Sequence, residues 1–66
     1  MTHPTLSDIL RIVLEEAHKT GKPHTVMYMH TCKYWGWAPR SELFNDDGSP
    51  TDFLKQHASV YFTIYP

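Results

Sequence analysis

The feature that most constrains the fold is an aromatic segment, Met27 to Trp37, near the middle of the chain. It holds both tryptophans, the only cysteine and two of the four tyrosines. Burying one tryptophan removes about 150–250 Å² of surface from water, so in a small protein such rings supply much of the core. The core or the binding surface of this protein must therefore include the segment.

Chain length is the second constraint, because 66 residues form a single domain, 1–66, with no room for a second core. A chain of this size buries only about 60% of its unfolded surface, so disulfides, a metal ion or a partner usually stabilise it. One cysteine excludes an intramolecular disulfide and is typical of a reducing compartment. We therefore expect a soluble, cytoplasmic protein.

The charge balance and hydropathy exclude several classes of function. A net charge of −1 lacks the basic excess of proteins that coat phosphates, and it is equally unlike an acidic mimic of DNA. No apolar run approaches the roughly 20 residues that a membrane-spanning helix needs. We expect no association with membranes.

Apolar residues at three- and four-residue spacing predict an amphipathic helix over residues 5–20. Thr5 with Asp8 forms a capping-box pattern at the start, and Gly21 followed by Pro23 ends the helix. The apolar stripe consists of Leu6, Ile9, Leu10, Val13, Leu14 and Ala17, with Ile12 outside it.

Alternating side chains predict a strand over residues 24–31 that is apolar on both faces and therefore central in its sheet. Cys32 continues the Val26 face, so we expect a buried and unreactive thiol. Gly36 is expected to interrupt the strand as a bulge or a turn. A hairpin at residues 30–32 is an alternative, although these residues are not typical of turns.

The C-terminal half predicts a short helix over residues 50–57, with Ser49 as N-cap and Pro50 at the first position. Val60, Phe62 and Ile64 then alternate with polar-tipped residues, which predicts a terminal strand at a sheet edge. The predicted fold is α+β: an N-terminal amphipathic helix packed on a two- to three-stranded sheet, with a short second helix before the C-terminal strand.

Histidine and cysteine side chains suggest a metal site or a nucleophile. His30 and Cys32 lie two residues apart on one strand face, but the chain lacks the paired cysteines or close histidine pair of structural zinc sites. A nucleophilic Cys32 needs a cationic neighbour, whereas Lys33 points to the opposite face of a strand. We expect no metal and no cofactor.

A small metal-independent ribonuclease is one alternative function. Its general acid and base would come from His24, His30, His57, Tyr28 and Lys33, which are the residue types that such chemistry uses. Sequence spacing does not bring these residues together.

Binding of single-stranded nucleic acid is another alternative. Tyr34, Trp35 and Trp37 lie between Lys33 and Arg40, the pattern of a stacking platform flanked by cations. The rest of the chain lacks the basic surface that would hold a phosphate backbone.

The main expectation is a non-enzymatic protein-binding module with an aromatic and methionine-rich surface, because Trp, Tyr, Met and Arg are enriched at interfaces. Small regulators and inhibitors encoded by mobile elements fit this description. We also expect a homodimer, formed through the terminal strand or the Tyr34–Trp37 segment, since an edge strand has free backbone groups. The candidate binding residues are Lys33, Tyr34, Trp35, Trp37, Arg40, Tyr61 and Tyr65.

Overall fold

The computed structural model describes residues 4–66, which begin with the predicted amphipathic helix, α1 (Leu6–Thr20). The capping box is confirmed: Thr5 Oγ1 accepts the Asp8 N–H at 3.3 Å, and Asp8 Oδ2 accepts the Thr5 N–H at 3.2 Å. The end is confirmed as well, because Gly21 has φ 69° and donates its N–H to the Ala17 carbonyl. Such a left-handed cap favours glycine, which has no Cβ to clash.

The sheet contains three antiparallel strands: β1 (His24–Met29), β2 (Tyr34–Pro39) and β3 (Ala58–Ile64). Their order is β2-β1-β3, so β1 is central and its first four residues are buried, as its two apolar faces predict. The predicted α+β fold is confirmed with three strands, and β3 lies at an edge of the sheet.

Two short helices follow β2: α2 (Arg40–Leu43) and α3 (Asp52–His57). The predicted start of α3 at Ser49 and Pro50 is wrong. Thr51 is the N-cap, and its hydroxyl accepts the Leu54 N–H. The Ser49 hydroxyl instead donates to Asp47 Oδ1 at 2.6 Å. Pro50 forms a β-bridge that holds this part of the chain extended.

A tight turn over residues 30–33 joins β1 to β2, which confirms the alternative hairpin at residues 30–32, whereas two other predictions for this segment are wrong. The N–H groups of Cys32 and Lys33 both donate to the Met29 carbonyl, at 3.1 and 2.7 Å. The chain therefore leaves the strand at Met29, and Cys32 is exposed rather than buried. Gly36 does not interrupt pairing either, since it lies within β2 opposite Met27. An added Cβ there would stand 3.0 Å from Met29 Cε, so the glycine makes room for a methionine.

The two faces of the sheet carry separate apolar clusters. On one side, which we call the α1 face, Ile9 and Val13 of the helix pack on Val26. On the other side, the α2–α3 face, Leu43 and Leu54 pack on the β1 face that carries Met27. Since successive strand residues point to opposite faces, each side chain of β2 and β3 that is paired with β1 is assigned to one face or the other by its register.

Candidate functional site

Both tryptophans contribute to the core beneath α1. Trp35 and Trp37 are partly buried and pack against the cluster of Ile9, Val13 and Val26. Trp35 also contacts Tyr28 edge to face at a centroid distance of 5.3 Å, and Trp37 lies 5.7 Å from the ring of His24. These two candidate binding residues therefore stabilise the fold first of all.

The remaining members of the predicted stacking platform are dispersed. Lys33 is exposed in the turn, and Tyr34 begins β2 on the α2–α3 face, opposite to the side chain of Trp35. Arg40 lies at the start of α2 with its guanidinium carbon 4.5 Å from the centre of the Phe44 ring. Neither face presents the uninterrupted row of rings between two cations on which bases could stack.

Arg40 and Tyr61 are brought together through Phe44. The rings of Phe44 and Tyr61 meet edge to face at 6.0 Å, so a cation and two rings form a row on the α2–α3 face. Tyr61 remains 42% exposed, and Tyr65, just beyond β3, is 66% exposed. Two tyrosines predicted as binding residues are thus accessible, and both belong to the C-terminal strand or its continuation.

Strand β3 exposes apolar side chains on the α1 face as well. Phe62 pairs with Val26, and Val60 pairs with Tyr28, so both lie on that face. Val60 is 53% and Phe62 is 36% exposed. No residue of β3, 58–64, carries a charge. This strand combines apolar exposure with a complete lack of charge.

The hydrogen bonds of β1 show which backbone groups of β3 point inward. His30 donates its N–H to the His57 carbonyl on the β3 side. Backbone groups of successive residues point to opposite sides of a strand, so Val26, four residues earlier, bonds to β3 as well. Its partner Phe62 therefore directs its N–H and C=O toward β1.

The two residues that flank Phe62 point the other way. Tyr61 and Thr63 direct their N–H and C=O groups to the open edge of the sheet. Side-chain geometry agrees, because Thr25 Oγ1 and Thr63 Oγ1 lie 3.0 Å apart. Such a close contact is typical of a pair without backbone hydrogen bonds, in which the Cα atoms are about 4.5 Å apart. A strand added to this edge would bond to Tyr61 and Thr63.

Leu10 and Leu14 extend the apolar surface onto the helix. A short turn, 21–23, links α1 to β1, so the helix runs antiparallel to β1 over the sheet. In a right-handed helix each residue advances about 100°, which turns Leu10 and Leu14 from the buried Ile9 and Val13 toward the β3 side. They are 36% and 46% exposed.

We call these groups together the β3 surface. It comprises the side chains of Leu10, Leu14, Val60 and Phe62 and the open backbone groups of Tyr61 and Thr63. Within the β3 surface, the sequence predicted only the free edge backbone and Tyr61 as binding groups, and it assigned Leu10 and Leu14 to the apolar stripe of the helix. The signal that could have found this surface is the width of the helix relative to that of the sheet. A helix is about 10 Å across, whereas the axes of the two outer strands alone lie about 10 Å apart and their side chains add to that width. One helix therefore leaves one edge strand uncovered.

The candidate acid–base residues do not converge. His24 is buried at the start of β1 and bonds through Nδ1 to the Lys22 carbonyl, whereas His57 lies near the other end of the sheet. Six residues of strand, about 20 Å, separate His24 from His30. His57 Nδ1 lies 3.3 Å from the Thr31 hydroxyl, and Cys32 Sγ lies 3.9 Å from the same hydroxyl.

No pocket is found among residues 4–66, and no group of three or more His, Cys, Asp or Glu side chains there is arranged to hold a metal ion. Among these residues no helix is both long and apolar enough to cross a bilayer. Comparison of the chain with protein-family models, with curated proteins and with solved structures gave no match.

Proposed function

We propose that this chain is a non-enzymatic protein-binding module that binds its partner through the β3 surface. The observation that carries the proposal is the coincidence of an open strand edge with exposed apolar side chains on the same strand. Edge strands of monomeric proteins are usually blunted by lysine, proline or inward charges, because free backbone groups recruit other strands. Residues 60–64 carry none of these devices.

The binding mode is strand addition. A partner segment in extended conformation bonds to the backbone of Tyr61 and Thr63, and its side chains on one face pack against Val60 and Phe62. Backbone bonds supply affinity in this mode, whereas the alternate side chains supply specificity. Since β3 is uncharged, the partner strand is expected to be uncharged and apolar on the face that meets Phe62.

A module that adds a strand acts by occupying the surface of its partner. We therefore propose a regulatory or inhibitory role, exerted in the cytoplasm, in which the single thiol stays reduced. The exposed Tyr61 and Tyr65 are the members of the sequence-predicted binding set that take part. A second copy of the chain is one partner that meets these requirements.

A capture experiment with two matched variants tests the proposal. The immobilised protein, Phe62→Lys and Phe53→Lys are each exposed to lysate, and bound proteins are identified. Phe53 is a suitable control because it is 49% exposed on α3 and does not belong to the β3 surface. We expect a partner to bind the unmodified protein and Phe53→Lys. The amount captured should fall at least about tenfold with Phe62→Lys, because this substitution places a charge on an apolar contact. A labelled second copy of the chain is added to the lysate, so that self-association is detected alongside capture of another protein. Equal capture by all three proteins would contradict the proposal, as would capture of neither the labelled copy nor any other protein.

A further inference from the structure

We propose that the partner fitted by the β3 surface is a second copy of this chain, paired strand to strand about a two-fold axis that passes beside Phe62. The inference rests on the proposed function of the β3 surface and names its occupant. In the dimer the three-stranded sheet of each copy continues into the other as one sheet of six antiparallel strands.

The register follows from the regular part of β3. Pairing with β1 shifts between Tyr28 and Met29, where β3 passes from Val60 to Ala58, so the bulge occupies the beginning of the strand. A bulge is one of the features that protect a sheet edge from pairing, but this bulge lies before residues 60–64 and leaves them regular. Phe62 is the midpoint of these residues. Centring the two-fold axis there pairs the longest regular segment with itself.

This register satisfies the open backbone groups reciprocally. Tyr61 of one copy lies opposite Thr63 of the other, and both direct N–H and C=O to the shared edge. Each therefore donates one hydrogen bond and accepts one, and the symmetry repeats the arrangement on the other side of the axis. Phe62 of one copy lies opposite Phe62 of the other, and no backbone hydrogen bonds join these two residues. In pairs of this kind the side chains across the strands are closest.

The side chains are self-complementary in chemistry. A two-fold axis perpendicular to the sheet keeps both copies of α1 on the same side, so Leu10 and Leu14 of each helix border the trough that contains both Phe62 rings. Val60 lies opposite Ile64, which is also apolar. Charge argues for a copy as well, because an uncharged strand meets no like charge in itself and offers nothing for a charged partner to recognise.

The opposite edge of the sheet is less suited to pairing. Strand β2 is bounded by Lys33 at its start and ends at Pro39, which has no N–H to donate. Lysine and proline at an edge are the usual obstacles to strand addition. The Tyr34–Trp37 segment is therefore the weaker of the two dimer contacts expected from sequence.

A disulfide trap tests the register. In a Cys32→Ser background, Phe62→Cys places two thiols on the axis, where the expected Cα separation of about 4.5 Å permits a disulfide. Val60→Cys is the matched control, since its two thiols lie four residues apart along the strands, about 13 Å. With oxidised glutathione as oxidant, we expect a cross-linked dimer from Phe62→Cys at least about tenfold faster than from Val60→Cys. Equal rates would overturn the proposed register.

Sedimentation equilibrium of the unmodified chain keeps the test independent of the substitution. We expect a mass approaching twice 7.7 kDa at high concentration, and a dissociation constant raised at least about tenfold by Phe62→Lys, which sets two like charges against each other. A mass of 7.7 kDa at every concentration would overturn self-pairing. It would leave the broader function standing if capture of another protein still depended on Phe62, so the two failures are distinguishable.

Discussion

Cys32 shows how a single residue departs from the pattern of its neighbours. Its thiol is exposed in the turn that follows β1, and Cys32 Sγ lies 3.9 Å from Thr31 Oγ1. We therefore expect a thiol reagent to label Cys32 in native buffer at a rate within a few-fold of the rate in denaturant. Mass spectrometry over a time course measures both rates. Labelling that requires denaturation would mean that the turn is buried.

Asp47 stabilises the turn at residues 45–49 in a way that depends on pH. The Ser49 hydroxyl donates to the Asp47 carboxylate at 2.6 Å, and the Ser49 N–H donates to it at 2.9 Å. These two hydrogen bonds, the hydroxyl bond first, hold the pKa of Asp47 below the ordinary value of 3.8. A carboxyl whose pKa is lowered in the folded state stabilises that state above the unfolded pKa. The contribution is therefore complete above about pH 4 and is lost as the pH falls through the folded pKa.

The expected test is an NMR titration of the Asp47 carboxyl. Removing the main donor with Ser49→Ala should raise the pKa of Asp47 toward 3.8, whereas Ser59→Ala, an exposed serine on β3, should leave it unchanged. If Ser49→Ala and the unmodified protein titrate at the same pH, these hydrogen bonds do not persist in solution.

At the scale of elements, the ends of α1 and the centre of the sheet could be predicted from local signals. Thr5, Asp8 and Gly21 act through contacts with residues three or four positions away, so the sequence carries the whole interaction. The β1–β2 turn was predicted only as an alternative, because it has no comparable local signal. It uses Lys33 at φ 61°, where turns usually have glycine or asparagine, and the pairing of the two strands together with the hydrogen bond from the Lys33 N–H to the Met29 carbonyl holds it there.

This left-handed lysine provides a test of the hairpin. A residue with a Cβ in that conformation costs about 1–2 kcal/mol, whereas the extra freedom of glycine in the unfolded chain costs about 0.5–1 kcal/mol. Lys33→Gly should therefore raise the free energy of unfolding by about 0.5–1 kcal/mol. The control is Lys22→Gly, an exposed turn lysine without positive φ, which should lower it by about 0.5–1 kcal/mol. Urea denaturation measures both, and a Lys33→Gly protein less stable than the unmodified one would contradict the turn geometry.

For the whole molecule, the sequence predicted that β3 would be an edge strand but placed most of the candidate binding residues elsewhere. Lys33, Tyr34, Trp35 and Trp37 were grouped by proximity in the chain, yet the turn and the alternation of β2 send them to different faces. Whether a ring is core or surface depends on where α1 lies, and that is a property of the assembled layers. The position of α1 also explains why Val60 and Phe62 are exposed, although they are as apolar as the buried strand residues.

Amide hydrogen exchange tests the central claim, that the β3 edge is a protein-binding surface, most directly. The N–H groups of Tyr61 and Thr63 point outward, whereas those of Val60 and Phe62 bond to β1 in every state of association. We predict that exchange at Tyr61 and Thr63 slows at least about tenfold as protein concentration rises through the dimerisation range, while Val60 and Phe62 stay protected throughout. Fast exchange of Tyr61 and Thr63 at every concentration, and in complex with any captured partner, would contradict the account.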